Sequence, residues 1–137
     1  MLFHEEYDFL SNFYPTPVTY ADRLYPSTEN AYQAQKCSKR AKEFENITPA
    51  KAKWLGRKVE VRSDWDKVKD RVMFDLIKIK FMNNPQLLSK LKEIKGPIVE
   101  HNYWHDNYWG DCICPKCKSI LGKNTLGHIL EFWRDTL

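Results

Sequence analysis

The chain has 137 residues and a formal net charge of +4, with 42% hydrophobic and 29% charged residues. This length suits one domain, so we expect residues 1–137 to form a single domain with an ordinary globular core. The mild positive charge is compatible with phosphate ligands, but it lies below the charge density of a dedicated nucleic-acid binder.

The sequence carries no signal for a membrane or for export. No apolar run approaches the roughly 18 residues of a spanning helix. The N-terminal MLFHEEYDFL has early acidic residues and lacks the basic and then apolar pattern of a signal peptide. We therefore expect a cytoplasmic protein without membrane partners, whose four cysteines are reduced thiols or metal ligands.

The first predicted elements are a hairpin and a helix. PVTYADRLYP alternates apolar and polar residues around Ala21-Asp22, which predicts a small hairpin. Ser27 then has the character of an N-cap, and the helix that it opens is expected to run to about Lys42.

Two more helices follow. The first begins after Thr48, has Pro49 at its first position and ends at Gly56, after which VEVR is a candidate strand. Asp64 opens the longest helix. Its core stripe at helical spacing consists of Trp65, Val68, Val72, Leu76 and Ile79.

The last third of the chain is predicted to hold two helices and a long loop. Asn83-Asn84-Pro85 separates the longest helix from QLLSKLKEIKG, which is closed by Gly96, and PIVEHN is a short strand candidate. Residues 103–124 lack periodicity and form an aromatic loop of the length that is usually functional. A helix from Thr125 to about Asp135 directs Leu126, Ile129, Leu130 and Trp133 inward. The fold class is therefore α+β, mostly helical with a small sheet.

The helix after Ser27 has an unusual distribution of side chains. At 100° per residue, one narrow sector contains Glu29, Tyr32, Gln33 and Lys36, while Ala31 and Ala34 point the other way. Helix physics alone favours an ordinary interpretation, in which Glu29 is a first-turn acid stabilised by the helix dipole and Lys36 is solvated. The aromatic segments elsewhere in the chain favour a site instead.

Six segments carry a resemblance to a known family. FLSNFYP, YPSTENAYQAQK, GRKVEVRSDWDKVKDRVM, KFMNNPQL, NYWGD and GKNTLGHILEFWR occur in this order between Phe9 and Arg134. Together they resemble the successive motifs of the NADAR family, also called YbiA-like. The resemblance implies an α+β N-glycosidase that cleaves between a base or amine and a phosphorylated ribose and needs no redox cofactor.

Two substrate classes are associated with this family. One is ADP-ribose attached to guanine in nucleic acid, which we expect here, and the other is phosphoribosyl-amino-pyrimidine intermediates of riboflavin synthesis. The expected partner is therefore an ADP-ribose or phosphoribosyl moiety, either on DNA or on a free nucleotide.

Glycosidic cleavage needs a group that stabilises an oxocarbenium-like centre and a group that activates water. Glu29 suits either task, and an apolar pocket would raise its pKa. Lys36 would bind a phosphate or a hydroxyl, or attack the sugar aldehyde as a Schiff-base amine if desolvation lowers its pKa. Asp106, in HDNYWGD, is the candidate second acid.

The remaining candidates are substrate-binding residues. Trp109 would stack on a base, and Gly110 would let the backbone approach the ligand. Arg57 and Arg62 suit a diphosphate, because a guanidinium can bind two phosphate oxygens at once. The other members of this set are Asn12, Phe13, Tyr32, Gln33, Asp111, Lys123 and Asn124. Each alone is more often a surface, turn or core residue, and the family positions favour the site.

The late loop departs from the commoner glycine-rich loop of the family. Cys112, Cys114 and Cys117 form C-x-C-x-x-C, which resembles half of a zinc knuckle. A closed zinc site would need a fourth ligand, and the candidates are His101, His105, His128 and Cys37. The alternative is three reduced thiols that stabilise the loop.

Two other function classes compete with the enzyme. One is a module that binds ADP-ribose or NAD without cleaving it, although a pure anion binder has little use for acids near a diphosphate. The other is a zinc-stabilised nucleic-acid adaptor, which the scattered basic residues do not favour.

Overall fold

Helices form most of the structure, a computed structural model that describes all of residues 1–137. The α-helices are α1 (Thr28–Ala34), α2 (Pro49–Gly56), α3 (Trp65–Met82), α4 (Pro85–Glu93) and α5 (Thr125–Thr136). The strands are β1 (Val18–Tyr20), β2 (Arg23–Tyr25), β3 (His101–Asn102) and β4 (Asp111–Cys112). The 3-10 helices are Glu5–Leu10, Ser38–Phe44 and Pro115–Cys117. The predicted α+β class, mostly helical with little sheet, is confirmed.

The chain divides into two compact units. The central unit is Asn12–Asn83, and the terminal unit combines Met1–Ser11 with Asn84–Leu137. The expectation of one domain over the whole length stays a prediction. None of the helices combines the length and the apolar character that a membrane span requires.

The central unit begins with the predicted hairpin. β1 and β2 pair antiparallel with Val18 opposite Tyr25. The two turn residues, Ala21 and Asp22, have φ values of 49° and 65°. Left-handed conformations at both central residues match the twist of a two-residue hairpin, so this prediction is confirmed.

α1 is shorter than predicted. The Ser27 side chain accepts a hydrogen bond from the backbone N–H of Asn30, which confirms the cap, but the helix ends at Ala34 instead of about Lys42. Cys37 is extended, and a 3-10 helix follows it. The Lys36 carbonyl accepts from the N–H of Arg62 at 2.9 Å, so a distant segment takes the place of a helical donor.

The predictions for the next segment are partly right. α2 begins after Thr48, whose side chain accepts from the N–H of Lys51, and Gly56 is its last residue. VEVR, residues 59–62, is not a strand, which corrects the prediction. The only strands of the central unit are β1 and β2, and they pair with each other, so this segment has no strand partner.

α3 supplies much of the core of the central unit. Of the predicted stripe, Trp65, Val72 and Leu76 are buried, whereas Val68 and Ile79 are half-buried. The most buried face of α3 is rotated slightly from the predicted stripe. It also includes Met73, Ile77, Lys80 and Phe81.

In the terminal unit, α4 begins at Pro85 as predicted but ends at Glu93, before Gly96, because Ile94 is already extended. Only the end of PIVEHN is a strand, and β3 pairs in parallel with β4. The predicted loop 103–124 therefore contains a strand and a short 3-10 helix. α5 confirms the expected core face, with Leu126, Ile129, Leu130 and Trp133 all buried.

Candidate active site

α1 is buried on all its faces. Each of its seven residues is less than a tenth exposed, with Glu29 at 8% and Ala31 and Ala34 at 0%. The polar side chains of α1 therefore do not form a solvated face of the helix. A carboxylate buried to this degree is costly unless it is hydrogen-bonded or faces a positive charge, so its partners decide what it can do.

Glu29 is held at both its backbone and its side chain. Its N–H donates to the carbonyl oxygen of Asn12 at 2.9 Å. One turn along the helix, the amide Nε2 of Gln33 donates to Glu29 Oε2 at 2.7 Å. The carboxylate therefore has a fixed direction, as a group that works at one atom of a ligand requires.

Two buried acceptors belong to residues that contact Glu29. Gln33 Oε1 and Asn12 Oδ1 are buried and accept no hydrogen bond from the protein. The Asn12 Nδ2 contacts Met73 Sδ at 3.6 Å, which fixes the orientation of its amide. Buried acceptors of this kind call for donors, and ribose hydroxyls are donors of a suitable type.

Lys36 follows α1 just beyond its C-cap and is half-buried. Burial lowers the pKa of its ammonium group, and the positive charges of Arg57, Lys53 and Lys69 lower it further. Glu29 acts in the opposite direction and raises this pKa. The amine therefore has easier access to its neutral form than an ordinary lysine, as the Schiff-base alternative requires.

The other predicted residues of the central unit have mixed settings. Arg57 is exposed at the C-cap of α2. Arg62 is also exposed, and its guanidinium binds Asp64 with two hydrogen bonds of 2.5 and 2.8 Å. A phosphate would have to replace this carboxylate. Tyr32 is buried, with its ring centroid 5.1 Å from that of Trp65.

Phe13, the predicted stacking residue near Asn12, is 40% exposed. An aromatic ring with this much free surface can still cover a sugar or a base. Its stacking role stays a prediction.

The predicted residues of the terminal unit also lie close to one another. Asp106 Oδ1 accepts hydrogen bonds from the backbone N–H of Tyr108 at 3.1 Å and of Trp109 at 2.9 Å. The Trp109 ring meets the Tyr108 ring edge to face, with centroids 5.0 Å apart. One oxygen of Asp106 thus shapes the turn that carries Trp109, and its catalytic role stays a prediction.

The glycines of this loop are required by the chain itself. A Cβ at Gly110 would lie 2.3 Å from the carbonyl oxygen of Glu100, and one at Gly122 would lie 2.6 Å from the Cα of Asp111. Asp111 Oδ1 also accepts from the N–H of Gly122 at 2.9 Å. Packing within the protein is therefore a sufficient reason for Gly110, and a ligand contact there stays a prediction.

The Asn124 side chain joins the start of α5 to residues 98–100. Asn124 is buried and left-handed, with φ of 53°. Its Oδ1 accepts from the N–H of Glu100 at 2.9 Å, and its Nδ2 donates to the carbonyl of Ile98 at 2.8 Å. The amide is thus occupied by the protein, whereas the neighbouring Lys123 is exposed with its Nζ 5.3 Å from the centre of the Tyr108 ring.

The cysteines of the late loop come together with one of the four predicted candidates for a fourth ligand. The ligand atoms of His105, Cys112, Cys114 and Cys117 all lie within 4.8 Å of one another, an arrangement that could bind a metal ion. His101 instead approaches Asp111, with Nε2 3.8 Å from Oδ2.

The other two candidates are placed elsewhere. His128 pairs with Glu131 at 3.3 Å. Cys37 belongs to the central unit.

An open depression of about 710 Å³ is lined by residues of the range 111–121, of which only Asp111 belongs to the predicted substrate site. It is wide open to solvent and is lined by none of the α1 residues. The candidate site is therefore the one around Glu29 in α1.

One buried ionisable residue was missed. Lys80 is 0% exposed in α3, and its Nζ lies 5.7 Å from the centre of the Tyr14 ring and 5.3 Å from that of Phe81. The signal was available, because Lys80 lies one turn after Leu76 and beside Ile77 on the buried face. A fully buried lysine is rare, and Lys80 is therefore a further candidate for a functional role.

The comparison with known proteins identifies the class. The model of the NADAR domain matches residues 2–137, so the chain belongs to the NADAR family. The solution structure of the Escherichia coli protein YbiA has the same fold, with a TM-score of 0.82 and 30% sequence identity over 99% of this chain and 83% of that one.

Curated relatives carry two kinds of name. The N-glycosidase YbiA of Escherichia coli is 32% identical over 97% of this chain and 83% of its own length. An N-glycosidase of Nostoc punctiforme is 31% identical over 97% of this chain and 87% of its own. A riboflavin biosynthesis protein of Vibrio vulnificus is 31% identical over 97% of this chain, which spans only 36% of that protein.

Proposed function

We propose that this protein is an N-glycosidase that hydrolyses the bond between a phosphorylated ribose and a base or amine. The observation that carries the proposal is Glu29, a buried carboxylate oriented by Gln33 and electrostatically coupled to Lys36, whose pKa is lowered. Two relatives that this chain matches over most of their length are named N-glycosidases, which supports the same reaction.

In the direct route, Glu29 acts as the base. It takes a proton from a water molecule as the water oxygen bonds to the anomeric carbon and the carbon–nitrogen bond breaks. The ammonium group of Lys36 gives its proton to the leaving nitrogen, and its lowered pKa makes it a stronger acid than an ordinary lysine. Glu29 returns a proton to Lys36 at the end of the cycle.

In the covalent route, the neutral amine of Lys36 is the nucleophile. Its Nζ bonds to the anomeric carbon as the bond to the base nitrogen breaks, and the proton lost by Nζ passes to the departing nitrogen. The ring carbon–oxygen bond then breaks, the ring oxygen takes the remaining Nζ proton, and a Schiff base forms between Nζ and the sugar carbon. Water adds to this Schiff base and releases the ribose together with the neutral amine. The lowered pKa of Lys36 is the observation that favours this alternative.

For the substrate we propose ADP-ribose attached to guanine in nucleic acid. Arg57 is exposed, and Arg62 already forms two parallel hydrogen bonds with a carboxylate, the geometry that a phosphate also accepts. The buried acceptors Asn12 Oδ1 and Gln33 Oε1 suit ribose hydroxyls. The second candidate is a phosphoribosyl-amino-pyrimidine, which is favoured by the name of the Vibrio vulnificus relative, a riboflavin biosynthesis protein.

The test is incubation with ADP-ribosylated guanine DNA, followed by mass spectrometry of the released small molecules. We expect the wild type to release ADP-ribose and Glu29→Gln to release none while remaining folded. Glu60→Gln is the matched control, because Glu60 is exposed in the same unit and the substitution is identical. Turnover by Glu29→Gln at the wild-type rate would contradict the catalytic assignment.

Two further readouts separate the alternatives. Borohydride reduction during turnover would leave a ribose adduct on Lys36 if the covalent route operates and no adduct if water attacks directly. Tight binding of ADP-ribose without release from any variant would instead indicate a reader, and release from a phosphoribosyl-amino-pyrimidine alone would move the substrate to the second class.

A further inference from the structure

We propose that His105, Cys112, Cys114 and Cys117 bind one structural zinc ion, independently of the reaction proposed above. The distances to the imidazole carry the argument. His105 Nδ1 lies 3.3 Å from the sulfur of Cys114, 3.3 Å from that of Cys117 and 3.9 Å from that of Cys112.

These distances are close to those of a tetrahedral site. Zinc–sulfur bonds of about 2.3 Å and a zinc–nitrogen bond of about 2.0 Å give ligand-to-ligand separations of roughly 3.5–3.8 Å. All four ligand atoms of this cluster lie within 4.8 Å of one another. Small side-chain adjustments would therefore bring the four atoms around one ion.

Neighbouring groups already donate hydrogen bonds to two of the three sulfurs. The backbone N–H of His105 donates to Cys112 Sγ at 3.3 Å, and Asn107 Nδ2 donates to Cys117 Sγ at 3.5 Å. The Asn107 side chain also accepts from the N–H of Cys112 at 2.9 Å, which holds its amide in place. Such outer hydrogen bonds orient ligands and stabilise their charged form.

The backbone of the loop fits the same interpretation. His105 has φ of 69°, a left-handed conformation that few residues other than glycine adopt without cost. Its imidazole Nδ1 lies close to the sulfurs of Cys112, Cys114 and Cys117. A metal bond would compensate for this unfavourable backbone conformation.

The part of the loop around the cysteines buries few large apolar side chains. The three cysteines form a small buried cluster of their own, whereas the large apolar side chains around them are exposed. Ile113 is 44% exposed, Ile120 50% and Leu121 92%. A segment with so little buried apolar surface gains order from a cross-link, and a metal ion is one that three reduced thiols and an imidazole can hold.

The ligand set selects zinc and a structural role. Three thiolates and one imidazole form a common closed site for zinc, whereas carboxylate-preferring ions such as Mg²⁺ and Ca²⁺ avoid thiolates. Four protein ligands leave no coordination position for water or substrate. The ion would fix β4 and the turn before it, without taking part in bond cleavage.

The first measurement is the metal content of the full-length protein purified under reducing conditions without chelator, determined by mass spectrometry of the elements. We expect one zinc per chain. Cobalt added to the metal-free wild type should give the visible absorption of a tetrahedral ion and a sulfur-to-cobalt charge-transfer band. Absence of both signals, or a stoichiometric ion other than zinc, would overturn the proposal.

Variants locate the site. Cys117→Ser and His105→Asn should each lose most of the bound zinc, and asparagine tolerates the left-handed backbone at this position. Cys37→Ser is the control, because Cys37 lies in the central unit and should leave the zinc content unchanged. Full zinc in both cluster variants would show that the ion lies elsewhere, and the cobalt spectrum of the wild type decides the ligand class even if a variant fails to fold.

Discussion

The close approach of Gly56 to Gln33 allows a test in which the effect of one substitution on the free energy of unfolding should change sign between two backgrounds. A Cβ at Gly56 would lie 1.9 Å from Gln33 Oε1 and 2.7 Å from its Cδ. The Gln33 side chain has little room to retreat, because it is only 5% exposed and donates to Glu29. Gly56→Ala should therefore displace the amide and weaken its hydrogen bond to the carboxylate.

The expected magnitude follows from two opposing terms. Overpacking, including the strained hydrogen bond, costs about 2–4 kcal/mol, and alanine in place of glycine within a helix gains about 1 kcal/mol. Gly56→Ala should thus destabilise the wild type by about 1–3 kcal/mol. In a Gln33→Ala background only the Cβ of residue 33 remains, 3.4 Å from the new methyl group. The same substitution should then stabilise by up to about 1 kcal/mol.

The assay is urea unfolding of the wild type, both single variants and the double variant, analysed as a double-mutant cycle. The free energies of unfolding should give a coupling of about 2–4 kcal/mol. Gly56→Ala should also slow turnover, because the carboxylate loses its orienting amide. An equal change in stability in both backgrounds would refute the reasoning.

Three further variants address other residues. Lys36→Met should remove the penalty of a buried ammonium group. Because the pKa of Lys36 is lowered in the folded protein, the unfolded chain binds more protons between that pKa and 10.5. Urea unfolding should therefore show the wild type gaining stability relative to this variant as the pH rises from neutrality towards 10.5. Asn124→Ala removes its hydrogen bonds to the N–H of Glu100 and the carbonyl of Ile98 and should cost about 2–5 kcal/mol in the same assay. Trp109→Ala should weaken ADP-ribose binding by about 1–3 kcal/mol in calorimetry, whereas unchanged affinity with a large loss of stability would assign the ring to the core.

Elements with local signals were predictable from the sequence. The hairpin turn at Ala21-Asp22 and the caps Ser27 and Thr48 depend on the chemistry of a few adjacent residues, and the structure confirms each of them. The end of α1 was not predictable in this way. No glycine or proline occurs between residues 28 and 42, and the helix ends where the Lys36 carbonyl meets the N–H of Arg62.

Side-chain contacts between distant segments could not be predicted from the sequence either. The resemblance to the NADAR family indicated Glu29 and Lys36, but the contact of Gln33 with Gly56 joins two helices and leaves no trace in sequence periodicity. Likewise, the spacing of the cysteines predicted three ligands and left four candidates for the last. Only the turn that contains His105 selects among them.

The burial of α1 has a consequence for hydrogen exchange. Even its first turn is closed, because the N–H groups of Glu29 and Asn30 donate to Asn12 and Ser27. Amides enclosed on every side exchange only when a larger part of the structure opens, so those of residues 29–34 should be among the slowest in the central unit. On the mechanism proposed above, we expect ligands to reach Glu29 by movement of surrounding side chains while the helix itself stays folded.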